Sequence, residues 1–171
     1  MGSGKIVAIV GAIIGILSVT LGFVLPEWMA WWRYLVSGAG VTSGYVVNGF
    51  GMLTNVGIAP PPPPEIALFF MVLIGGIMVL AGSAILIIGA IKESKVVGLI
   101  GGIVLLLGPM LLVLDLLFGI GDYSMMIPPS YTVFWGSYEV APGVFLNWGI
   151  GIGAFMAIGA GVVGIIGGAT I

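Results

Sequence analysis

Four long apolar runs, Ile6 to Leu25, Ile66 to Ile91, Val96 to Phe118 and Phe145 to Ile171, occupy more than half of the chain, and the only ionisable side chain inside them is Asp115. About 20 helical residues cross a hydrocarbon core roughly 30 Å thick, so each run is long enough to be a transmembrane helix. Composition points the same way: 60% of the 171 residues are hydrophobic, 6% are charged, and the mean hydropathy is +1.33. Soluble globular chains carry about 25% charged residues. A chain this apolar cannot cover itself with polar surface, and lipid must be its main solvent. The first run follows Lys5 in the manner of a signal peptide, but it exceeds the usual apolar core of such a leader and no Ala-x-Ala-like site follows it; a retained helix is expected.

Lys5 precedes the first run, and Lys92 and Lys95 bracket the short connection between the second and third. Three of the four basic residues thus share one side, which the positive-inside rule assigns to the cytoplasm. The expected product is a multi-pass protein of the cell membrane with both termini cytoplasmic. Its two long segments, 26–65 and 119–144, then lie outside. The outer side holds Glu27, Glu65, Asp122 and Glu139 against Arg33 alone. Four scattered basic residues build no phosphate-neutralising patch, so nucleic acid is not an expected partner.

The outer segments read as strands. Val41 to Val47 and Met52 to Ile58 are β-branched and punctuated by Gly38-Ala39-Gly40, Ser43-Gly44 and Asn48-Gly49, and Ser130 to Val140 adds aromatic and β-branched residues. The expected fold is therefore an all-α membrane four-helix bundle with a small extracellular antiparallel β-sheet formed by the two outer loops, in a single domain over residues 1–171. Pro60 to Pro64 is expected to form a stiff polyproline II spacer leading into the second helix.

Glycine spacing predicts close helix packing, because small residues let backbones approach in lipid. Gly11 and Gly15, Gly75, Gly82 and Gly89, and Gly98 and Gly102 form such stripes. On the fourth helix two stripes are expected, Gly149, Gly153, Ala157 and Gly161, and beside it Ala160, Gly164 and Gly168. Two faces exceed what one internal contact needs, which points to lateral association with a second copy or with another membrane subunit. Trp28 and Trp148, beside helix ends, suit the aromatic belt at headgroup level. Trp31, Trp32 and Trp135 are expected to fill the outer core or to form a contact patch.

Chemistry is sparse. With no Cys and no His, thiol catalysis, haem ligation through His and the usual zinc and copper sites are excluded. Met29, Met52, Met125 and Met126 offer thioethers without supporting ligands, and no paired carboxylates or phosphate loop stands out; no enzyme activity and no cofactor are expected. Asp115, near the outer end of the third run, is either a structural tie or a site for a proton or cation, since a carboxyl in lipid is expensive. No second buried acid or base completes a relay.

The Pro26-x-Trp28 pair directly after the first run resembles the Pro-x-Trp with which claudin outer segments open, and four spans with a long first and shorter second outer segment resemble the claudin-like tetraspan architecture. The paired cysteines of that family are absent, and Gly49-Phe50-Gly51 is at most an echo of its Gly-Leu-Trp motif. The resemblance implies a sheet-capped bundle that associates side by side, with Trp28 anchoring the sheet at the bilayer surface. A non-enzymatic structural element or accessory subunit is the expected function, with a channel or transporter component using Asp115 as the alternative.

Overall fold

The computed structural model describes residues 2–60, 69–119 and 131–171. In chain order the elements are α1 (Ser3–Thr20), continued by a tighter helical turn (Leu21–Phe23), α2 (Pro26–Met29), β1 (Trp32–Gly38), β2 (Val41–Val47), β3 (Leu53–Val56), α3 (Phe70–Ile91), α4 (Lys95–Phe118), β4 (Trp135–Ala141), β5 (Val144–Ile150) and α5 (Ile152–Thr170). Four helices, α1 with its extension, α3, α4 and α5, are long and apolar enough to cross a membrane. Together with the sheet they make a tetraspan-like architecture.

Local chemistry sets the helix ends. Pro26 opens α2, where a missing amide hydrogen leaves no helical bond unmade. Ser94 caps α4 by accepting a bond from the Val97 amide, and Gly119 closes it in the left-handed conformation, its amide donating to the Asp115 carbonyl. Between α3 and α4 the chain reverses through Glu93, a non-glycine residue at φ 56°. Pro109 lies inside α4 and is buried there.

The bundle is a ring in which α1 packs on α3 and α5, and α4 packs on the same two. Its interior is built on backbone contact. A Cβ placed on Gly89 would lie 2.5 Å from the Gly98 amide nitrogen, and one on Gly82 would lie 2.7 Å from the Leu105 Cα. Both distances are too short for a side chain, so α3 and α4 meet through glycine. Leu86, Leu105, Leu112, Val72 and Val79 fill the remaining interior and are fully buried.

The sheet is antiparallel throughout in the order β3-β2-β1-β5-β4. The β1–β5 pairing, from Trp32 opposite Ile150 to Gly38 opposite Val144, joins the strands that precede α3 to the β4–β5 hairpin that precedes α5. Two strand glycines flank β1: Gly44 at φ 155° and Gly149 at φ 150°. An L side chain is strained there, and glycine lets the strands bend.

Two boundaries differ from the sequence reading. Residues 145–150, expected to begin the fourth helix, form strand β5, and α5 starts at Ile152. The apolar Phe145-Leu-Asn-Trp148 stretch suits either state, and pairing with β1 and β4 on both sides satisfies its backbone as a strand. The second helix begins at Phe70 rather than Ile66, whose surroundings lie outside the described residues, as do Pro61 to Pro64, Glu65, Asp122, Met125 and Met126.

Candidate interaction surface

Sheet and bundle meet at Trp31, which is wholly buried. Its indole Nε1 donates to the Ser18 carbonyl at 3.0 Å, its amide donates to Val47, and its carbonyl accepts from Gly151 at 2.9 Å. Glycines make room for the ring: a Cβ on Gly49 or Gly153 would lie 2.9 Å from it, and one on Gly75 3.4 Å. One side chain therefore locks the ends of α1, α3 and α5 to the β2–β3 connection. That connection is itself held by buried Asn48, whose Oδ1 accepts from the amides of Phe50 and Met52 at 2.9 and 3.1 Å.

Residues 131–134 cross one face of the sheet as a strap. Trp32 Nε1 donates to the Val133 carbonyl at 3.1 Å, Trp148 Nε1 donates to Thr132 at 2.8 Å, and the Ile150 amide donates to Phe134. Tyr131 meets the Trp148 ring edge-on at 5.4 Å and stacks on Tyr138 at 5.6 Å. Beside this cluster burial, and then the neighbouring Tyr138, pushes the Tyr34 phenol above its ordinary value of 10.0.

These contacts sort the tryptophans. Trp31 and Trp32 are buried at 0% exposure and fill the cap and its junction, which removes them from any contact surface. Trp148, expected in a headgroup belt, is buried as well. Trp28 and Trp135 are 64% and 66% exposed and remain available. Val140 and Phe145 are exposed at the other end of the β4–β5 hairpin, Tyr131 is partly exposed on the opposite, Trp148 face, and Val41 and Ile58 are exposed at the far side of the sheet. Period-two alternation in β4 puts Trp135, Ser137 and Glu139 on one exposed face.

The glycine candidates on the last helix have partners within the same chain. Gly149 lies in β5, not on the helix. A Cβ on Gly161 would meet Leu106 at 2.7 Å, one on Gly164 would meet Leu86 at 2.8 Å, and Gly168 faces Gly98. Gly153 faces Met29 and Trp31. Both small-residue stripes are occupied because α5 sits between α1 and α4, a placement that helix periodicity does not encode. They therefore give no independent sign of a second copy.

Asp115 is 1% exposed, in the last turn of α4. Because Gly108 lies against Gly75 and Val79, the antiparallel register sets Asp115 level with the first turn of α3. Among the described residues no group of three or more His, Cys, Asp or Glu gathers as a metal site.

Charge marks the two ends of the molecule. Lys5 donates to the Glu93 carboxylate, tying the start of α1 to the α3–α4 turn, and that bond, then the lysine charge, holds the Glu93 carboxyl below its ordinary value. Gly98 lies against Ile171 and Gly168, so both described chain ends share this lysine-bearing end. At the sheet, Glu139 Oε1 accepts from the Gly143 amide at 2.7 Å and closes the β4–β5 hairpin. Compared with models of known protein families and with curated proteins, the chain matches none.

Proposed function

We propose that this chain is a non-enzymatic multi-pass membrane protein whose sheet makes lateral protein contacts, as a self-assembling structural element or as an accessory subunit of a membrane complex. The reading rests on the β4 region. This outer strand has no partner strand on its far side among the described residues, and it presents Trp135 and Val140 at 66% and 46% exposure. Open edges with exposed apolar side chains are ready templates for another chain. The orientation proposed from the lysines puts the sheet outside the cell and both termini in the cytoplasm, in line with the claudin-like resemblance of Pro26-x-Trp28.

The mass of the purified protein in mild detergent tests this reading. A complex heavier than one copy is expected, reverting toward a single copy in the double variant Trp135→Ser, Val140→Lys. A monodisperse single copy that conducts ions in liposomes overturns it. That second outcome belongs to the channel or transporter reading, which the burial of Asp115 favours. There Asp115→Asn abolishes flux, whereas under the structural reading it leaves the complex intact.

A further inference from the structure

Where α1 gives way to α2, residues Val24 to Trp28 line an open groove of about 270 Å³. Val24 and Trp28 are 73% and 64% exposed, and Leu25 is exposed beside them. The groove continues the exposed apolar stripe of α1, Ile6, Val10, Ile13, Leu17 and then Phe23, which is the surface lipid would cover. Glu27, itself exposed, is the one charged residue among those lining it. Among the described residues that carboxylate has no ion pair: Lys5, Lys92 and Lys95 lie at the opposite end of the bundle, and the one ion pair joins Lys5 to Glu93. Arg33, on β1, forms no ion pair with Glu27.

We propose that this corner holds the amine head group of a membrane lipid. The ammonium would donate to Glu27 in a charge-assisted bond and lie over the Trp28 indole, whose face attracts cations. The acyl chain would run down Phe23, Val24 and Leu17. Charge complementarity selects the lipid: an anionic head group would meet an uncompensated carboxylate at the same place. The proposal rests on the membrane reading of the four helices and adds a head-group preference to it.

The test uses the full chain in vesicles of phosphatidylethanolamine and phosphatidylglycerol, with bromine carried near the head group by one lipid or the other. Trp28 emission is isolated as the difference between the wild type and Trp28→Phe. A cation–π contact of about 0.5–1 kcal/mol predicts quenching of that component roughly two- to fivefold stronger when phosphatidylethanolamine carries the bromine. Glu27→Gln should bring the ratio toward one while Trp28 stays quenched. Equal quenching by both lipids in the wild type overturns the head-group preference and leaves the membrane reading standing. Absence of quenching by either lipid overturns both.

Discussion

Replacing Trp31 with Phe keeps much of the ring but strands the Ser18 carbonyl without its indole donor, in a site with no exposure. A buried acceptor left unsatisfied costs about 1–3 kcal/mol. Trp31→Ala also opens a cavity, and its expected loss is about 3–5 kcal/mol, read as a lower midpoint of unfolding in detergent. Trp28→Ala removes an exposed ring, and a change within about 0.5 kcal/mol is expected. Tyr34 gives a spectroscopic handle. Its phenol ionises above 10.0 in the folded chain, so the stability it contributes is complete below that pH and fades as pH rises through the folded value. In an absorbance titration of the phenolates, Tyr34→Phe should delete a late-ionising component. Loss of an early one instead would contradict the burial of Tyr34.

Among the elements, α5 shows most clearly how helix position decides what a glycine does. Gly161→Leu or Gly168→Leu forces a side chain against Leu106 or Gly98, and overpacking of this kind costs about 1–3 kcal/mol. Gly159→Leu meets nothing within 4 Å and should leave the melting midpoint unchanged. Equal effects at the three positions would mean that α5 is rotated from the placement described. The α3–α4 turn carries a second expectation. The Glu93 carboxyl is held below 4.5 by its bond to Lys5, so this tie strengthens the fold above that pH and is lost as pH falls through the depressed folded value. Glu93→Gln should therefore flatten the acid limb of the stability profile, by a small amount because the carboxylate faces solvent.

Over the whole molecule, a glycine-packed ring of four apolar helices carries a five-stranded sheet at one end and its lysines at the other. The helices were legible in the sequence, because long apolar runs with Asp115 as their one ionisable residue satisfy their backbone in lipid by internal helical bonding. Strands near Val41 to Val47, Met52 to Ile58 and Ser130 to Val140 were legible too, since their β-branched and aromatic residues and glycine turns are local signals, whereas the central strand β1 was not. Phe145 to Ile150 read as the start of the fourth helix, because the stretch is apolar enough for either a helix or a strand, and only the pairing with β1 and β4 makes it strand β5. Tryptophans look alike in a sequence; long-range packing buried Trp31, Trp32 and Trp148 and left Trp28 and Trp135 outside. Likewise the stripes of α5 were visible as spacing, but whether they face another copy or the same chain depended on α1 and α4 lying on either side of it. Periodicity is a property of one element, whereas burial belongs to the whole arrangement of elements, and that arrangement decided which surfaces are left to meet a partner.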